Sequence, residues 1–253
     1  MATTQNPPAH LVALVTGANK GIGLEIARQL TELGHTVFVG ARSKDKAENA
    51  AAELRRAGGD ALPLVIDVTD PASVAAAADV VAERFGHLDA LINNAGISGR
   101  PGADFAGQLP GSADVDHVRF IFETNVFGVI SVTSAFLPLL RKSSTPRIVN
   151  VSSNAGSLAL MSNPELFDQH PIALGYVPSK TALTAMTIQY ARDLAADRIL
   201  VNAISPGFVA TDLNGHRGVR TPSQGAASAV RMATIAADGP AGTLTDDDGT
   251  VPW

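Results

Sequence analysis

Short apolar runs rich in Val, Ile and Leu alternate along this chain with longer, alanine-rich stretches of helical period. Residues 11–16 (LVALVT), 36–41 (TVFVGA), 62–67 (LPLVID), 88–93 (LDALIN), 147–153 (RIVNVSS) and 199–205 (ILVNAIS) predict six strands. Helices are expected from about Ile22 to Leu33, from the second strand to about Ala57, and from Asp70-Pro71 to Phe85. The Asp-Pro pair reads as an N-cap followed by proline at the first helical position, where its missing N–H costs nothing. Strands separated by helices pair in parallel through right-handed crossovers. Strands that are apolar almost throughout suit a sheet covered on both faces. The pattern predicts an α/β chain: a doubly wound parallel sheet with helices on both faces, spanning residues 10–253 as a single domain behind a loose tail, 1–9.

Three stretches break the rhythm with loop chemistry, at 97–113, 156–175 and 211–222, after the fourth, fifth and sixth strands. In such a sheet ligands bind beyond the carboxyl ends of the strands, so these loops are candidate walls of a site.

Composition narrows the chemistry. The 253 residues carry 45% hydrophobic and 17% charged side chains, enough for a core, and a net charge of −5 without a basic block, which argues against nucleic acid. No cysteine is present, which removes disulfides, thiol nucleophiles and thiolate-bound zinc. The histidines show no metal-ligand spacing, and the run Asp246, Asp247, Asp248 reads as a solvated turn, so no metal is expected. The polar, proline-containing start is unlike a signal peptide, and the apolar runs look too short for a bilayer, so a cytoplasmic, membrane-free protein is expected.

The first strand runs into TGANKGIG, with Gly17, Gly21 and Gly23. Glycines there allow a tight turn and close backbone approach, and a helix starting there points free N–H groups at an anion such as a pyrophosphate. The second strand ends Gly40-Ala41-Arg42, with no acid until Asp45. An arginine at that place accommodates a 2′-phosphate, and Lys20 adds a second cation, so NADPH/NADP+ is expected over NAD(H).

TGANKGIG (16–23), NNAG (93–96), Asn125, the serine pair ending at Ser153, YVPSK (176–180) and PGFVATD (206–212) stand in the order used by the short-chain dehydrogenase/reductases. Over residues 10–212 the chain resembles that family, and within it the carbonyl reductases. The resemblance implies a Rossmann-type fold and assigns cofactor contacts to Thr16, Gly17, Asn19, Lys20, Gly21, Ile22, Gly23, Arg42, Asp67, Val68, Asn94, Ala95, Gly96, Tyr176, Lys180, Pro206, Gly207, Val209 and Thr211. It assigns catalysis to Asn125, Ser153, Tyr176 and Lys180, with Asn125 holding a water that joins Lys180 to solvent.

Tyr176 is one of only two tyrosines, and Lys180 follows it by four residues, on the same face of a helix. A free phenol titrates near pH 10 and is a poor acid at neutral pH, but a neighbouring ammonium lowers that value. In the reductive direction Tyr176 gives a proton to the developing alkoxide while Ser153 hydrogen-bonds the same oxygen. Ser153 is preferred to Ser152, since consecutive strand residues face opposite ways.

The Ser153–Tyr176 interval is longer than is common in the family, though the insertion is smaller than that of the carbonyl reductases. A monomer is expected, with dimer and tetramer as alternatives. The loop after Gly207 is short, which suggests an open site walled by Ile97, Ala155, Met161, Phe167 and Phe208, for a small neutral carbonyl or alcohol. The rival readings are a dedicated biosynthetic ketoreductase or alcohol dehydrogenase, a dinucleotide-sensing regulator and, less favoured, a sugar-nucleotide epimerase. The presence of the whole catalytic set argues against the sensor.

Overall fold

The structure, a computed structural model, describes residues 10–101, 106–169 and 171–253; the expected tail at 1–9 lies outside them. In chain order the elements are β1 (Val12–Val15), α1 (Gly21–Glu32), β2 (Thr36–Ala41), α2 (Lys44–Arg56), β3 (Ala61–Val65), α3 (Pro71–Phe85), β4 (Ala90–Asn93), α4 (Val115–Phe122) and α5 (Gly128–Leu140). There follow β5 (Arg147–Val151), α6 (Leu158–Met161), α7 (Tyr176–Asp193), β6 (Leu200–Ile204), α8 (Pro222–Ala233) and β7 (Leu244–Thr245). The strands form one sheet in the order β3-β2-β1-β4-β5-β6-β7, parallel throughout. This is the doubly wound Rossmann-type sheet, and its order reverses between β1 and β4, where a crevice opens at the carboxyl ends.

Alternation along each strand divides the core in two. Ala13 and Val15 of β1, Val37 and Val39 of β2, and Ala90 and Ile92 of β4 pack with α1, α2 and α8 on one face. Val12, Leu14, Phe38 and Leu91 point the other way, against Val74 and Val81 of α3 and Val132 and Phe136 of α5. Asp70 caps α3 as expected, accepting the Ala72 N–H at 2.9 Å.

Six strands were expected and a seventh is present. β7 is two residues long, paired Ala203↔Leu244 and Ile204↔Thr245, too short to leave a period in the sequence. The acidic run beyond it is not a free turn. Asp247 pairs with Arg220 and accepts from Ser228 Oγ at 2.5 Å, tying the C-terminal turn to the segment after β6 and to α8. The last residue is seated too, its carbonyl accepting the Ala159 N–H at 2.8 Å.

The helix between β4 and β5 corrects another expectation. Val115–Leu140 runs for 26 residues at a hydropathy of 1.6, long and apolar enough to cross a membrane. Val132, Phe136, Leu139 and Leu140 lie in the core against the sheet, which accounts for that apolarity. One widened, π-helical turn, Glu123–Phe127, interrupts it, and Asn125 lies in that turn.

At the crevice the start of α1 meets the glycine turn and Asn94, just after β4, at close range. A Cβ on Gly23 would lie 2.4 Å from Asn94 Nδ2 and 2.6 Å from Gly17 O, whereas one on Gly111 meets nothing within 4 Å. Gly23→Ala is expected to lower the unfolding free energy by about 1–3 kcal/mol in urea denaturation, with Gly111→Ala nearly neutral. Equal midpoints for the two would sink the close-approach argument.

Candidate active site

The glycine turn is held from the side by β4. Thr16 is buried, and its hydroxyl accepts the N–H groups of Asn94 and Ala95, both at 3.0 Å. Asn94 Nδ2 returns a bond to Thr16 O at 2.9 Å. Gly17 and Gly21 have φ of 64° and 58°, the left-handed region where a side chain is strained. Lys20 stands at the N-cap of α1, and no side chain caps that helix. Asn19, Lys20, Gly21, Ile22 and Gly23 thus present an uncapped helix start, which fits the pyrophosphate of a dinucleotide.

A cleft of about 340 Å³ separates Asn19 and Lys20 from Lys46, Asn49, Ala50 and Glu53 of α2. Arg42 leaves the end of β2 exposed, with no ion-pair partner among the described residues. Lys46 is a further cation in this corner that the motif reading missed. Asp67, after β3, accepts from Thr69 N at 3.0 Å and Thr69 Oγ1 at 2.7 Å, closing a local turn. Val68 is buried beside Gly128 of α5. Arg42, Asp67 and Val68 therefore lie on one side of β1, and the tyrosine on the other.

Ser153 follows β5 and accepts the Ala155 N–H at 3.1 Å. Ala155 is itself buried, behind the surface it was expected to form. Ser152 points away and bonds Thr184 Oγ1 at 2.8 Å, as strand alternation requires. Tyr176 is the first residue of α7 and Lys180 lies one turn on, its Nζ 5.9 Å from the centre of the phenol ring. Lys180 is 5% exposed and donates to Val151 O at 2.8 Å. Gly96 lines the same spot, where a Cβ would come within 3.5 Å of Lys180 Nζ.

Burial governs the titration of this pair. Loss of solvent pushes the Tyr176 phenol above its ordinary value, and the Ser153 hydroxyl partly offsets the rise. The lysine was expected to lower the phenol; instead burial raises it, and the group acting against the rise is Ser153. The same burial pulls Lys180 down to about 8. A phenol pushed up stays protonated at neutral pH, the form that donates a proton.

Asn125 is 1% exposed, and its side chain is spent locally. Oδ1 accepts Ile97 N at 2.9 Å, while Nδ2 donates to Ile97 O at 2.9 Å and to Ser179 Oγ at 3.0 Å. Both amide hydrogens are engaged, so this side chain has none left for a bridging water. Ser179, three residues from Tyr176, is a site residue that helical spacing within YVPSK could have revealed.

Pro206, Gly207, Phe208, Val209 and Thr211 follow β6. This segment is folded back, with Ala210 N bonded to Arg220 O at 2.8 Å, and it reaches the glycine turn. A Cβ on Gly21 would sit 3.5 Å from Thr211 Cγ2, and Lys20 pairs with Asp212. Ser98 Oγ donates to Leu213 O at 3.0 Å. The short loop therefore lies across the crevice, where an open site was expected. Of the expected substrate walls, Phe208 is 53% exposed and Ile97 and Met161 are half-buried. The Phe167 side chain lies outside the described residues.

Fold and site define a dinucleotide-dependent oxidoreductase, and comparison with known proteins gives its family. Residues 11–220 match the short chain dehydrogenase family, and the chain belongs to it. Its members use nicotinamide dinucleotides and act on alcohol and ketone groups. The short-chain dehydrogenase anuI of Penicillium roqueforti is 39% identical over 249 residues, covering 95% of each chain. The structure of salutaridine reductase from Papaver somniferum superposes with a TM-score of 0.80 at 30% identity, covering 94% of this chain and all of that one. That of NADPH-bound carbonyl reductase from chicken fatty liver gives 0.83 at 29% identity, covering 96% and 99%.

A lysine pulled down by burial binds fewer protons in the folded chain than in the unfolded one between about pH 8 and its ordinary 10.5. Stability then rises with pH through that window, and the full penalty is present below it. Lys180→Met is expected to stabilise the chain by about 1–3 kcal/mol at neutral pH, the lost bond to Val151 O offsetting part of the gain. Urea unfolding should show that advantage shrinking as pH passes 8; a variant less stable at every pH would overturn this account.

Proposed function

We propose that this chain is an NADPH-dependent reductase of small apolar ketones, aldehydes or quinones, reversible as an alcohol dehydrogenase. The observation that carries the reading is the Tyr176 phenol at the start of α7, with the buried amine of Lys180 5.9 Å from its ring centre and the Ser153 hydroxyl interacting with it. The glycine turn, Asn94, Ala95 and Gly96, and the segment Pro206–Thr211 would hold the cofactor, which when bound supplies hydride to the carbonyl carbon. Ser153 would hydrogen-bond the substrate oxygen and fix its position. Tyr176 gives its hydroxyl proton to that oxygen as negative charge develops on it, and the Lys180 ammonium stabilises the phenolate left behind.

The substrate's apolar character is supported by the rim. Leu158, Ile172, Phe208, Val219 and Trp253 are all exposed, and all lie after β5, β6 or β7 at the carboxyl edge of the sheet. Exposed large apolar side chains at the end of the sheet where ligands bind favour an apolar ligand. The relation to salutaridine reductase, an enzyme named for one substrate, favours a single natural substrate over a broad range. Exposed Arg42, the missing acid at the end of β2, and the NADPH bound by the chicken carbonyl reductase support NADPH over NADH.

NADPH and NADH consumption against alicyclic and aromatic ketones, aliphatic aldehydes and quinones tests this directly. Tyr176→Phe is expected to lose at least about 100-fold in turnover while still binding NADPH. Full turnover in that variant would refute the mechanism. Arg42→Ala is expected to raise the KM for NADPH about tenfold, the worth of one charged hydrogen bond, and to leave that for NADH unchanged. An unaltered ratio would remove Arg42 from cofactor choice.

A further inference from the structure

Tyr176 is held by more than its helix. Its N–H is one of the free donors at the start of α7, and the N-cap, Gly175, has no side chain to satisfy any of them. Nor could it carry one, since a Cβ there would lie 2.6 Å from Ile121 Cδ1 and 2.9 Å from Gln108 Oε1. The acceptor comes from another segment. Gln108, 0% exposed in the loop after β4, takes the Tyr176 N–H on Oε1 at 2.9 Å. Its Nε2 donates to Ser98 O at 2.7 Å, and its own carbonyl accepts Leu174 N at 2.8 Å.

The other end of the tyrosine's backbone is held in a matching way. Ser179 Oγ donates to Tyr176 O at 2.7 Å and accepts from Asn125 Nδ2 at 3.0 Å. Asn125 also grips both backbone groups of Ile97. Two buried side-chain amides thus fix the N–H and C=O of one residue, and both are anchored on the consecutive residues Ile97 and Ser98. Ser98 in turn holds Leu213 of the segment lying over the crevice.

We infer that Gln108 is a positioning residue of the reaction: it fixes the backbone of Tyr176, and through Ser98 couples it to the segment after β6. The inference rests on Tyr176 as the proton donor. Its physical basis is the steep dependence of proton transfer on placement, where a displacement near 1 Å can cost on the order of 100-fold in rate. A buried amide with one donor and one acceptor both engaged is a rigid spacer, and an apolar replacement frees both partners at once.

The test pairs Gln108→Leu with Gln108→Glu, the second keeping an acceptor for the Tyr176 N–H. Gln108→Leu is expected to lower kcat about tenfold or more while the Kd for NADPH, read by fluorescence, stays within about twofold. Gln108→Glu should recover part of the loss. An activity-independent readout is the ultraviolet titration of the Tyr176 phenol in a Tyr190→Phe background, since these are the only two tyrosines. Its midpoint should move in Gln108→Leu and move less in Gln108→Glu. Wild-type kcat and midpoint in folded Gln108→Leu overturn the inference. So does a loss of kcat that follows the unfolded fraction equally in both variants. A wild-type chain that reduces no carbonyl sinks the reductase reading instead, and the phenol titration then decides the clamp by itself.

Discussion

The lock between Thr16 and Asn94 is the constraint on which the site depends. β1 and β4 are paired as far as Val15↔Ile92, but the ladder stops there, so it does not by itself hold the glycine turn against the segment after β4. A single buried hydroxyl accepting two consecutive backbone N–H groups, with an amide returning to its carbonyl, supplies that hold. Without it the Ala95 N–H would lose its partner, at a cost of about 1–3 kcal/mol, while the Asn94 N–H also reaches Ile92 O at 3.0 Å. The glycine turn and the NNAG segment are therefore one rigid body, and Gly96 and Ile97, which border Lys180 and Asn125, inherit their positions from it.

Electrostatics at the site follow from burial more than from pairing. Lys180 and Tyr176 are adjacent, but the amine spends its bond on the Val151 carbonyl, and both groups are moved toward their neutral forms. A buried lysine at about 8 is costly for a fold with no use for it. The phenol is poised to give a proton, and the Lys180 ammonium to stabilise the charge that the phenol then carries. A cationic nicotinamide would add the field that the lysine alone does not supply.

Regular structure was legible where a period repeats. Six strands and the flanking helices of the first half were readable because β1, β2, β4, β5 and β6 are almost wholly buried, β3 at the edge keeps Ala61 and Leu64 inside, and the helices between them are amphipathic or alanine-rich. β7 was not, because two residues carry no alternation. The motifs located Ser153, Tyr176 and Lys180 because their chemistry fixes residue type and spacing together. Gln108 had neither signal. It acts on backbone groups 10 and 68 positions away, so any residue type may stand at the far ends, and only the folded chain brings the three together.

The segment after β6 shows how a charge can have one meaning in a motif and another in the fold. Lys20 reads as a phosphate contact from its place in TGANKGIG, and in the folded chain it pairs with Asp212, which draws that carboxyl below its usual range, helped by His216. Both partners are largely exposed, and exposed pairs of this kind contribute little to stability. A dianionic phosphate at the same place competes on favourable terms, because it brings more charge and three acceptors to the one ammonium. The tie across the crevice is thus weak by construction, while the Thr16–Asn94 lock beneath it and the double grip on Tyr176 are buried and costly to break. Entry of a dinucleotide can displace the first without breaking the others, and the segment above the crevice then keeps its tie to the proton donor through Ser98 and Gln108.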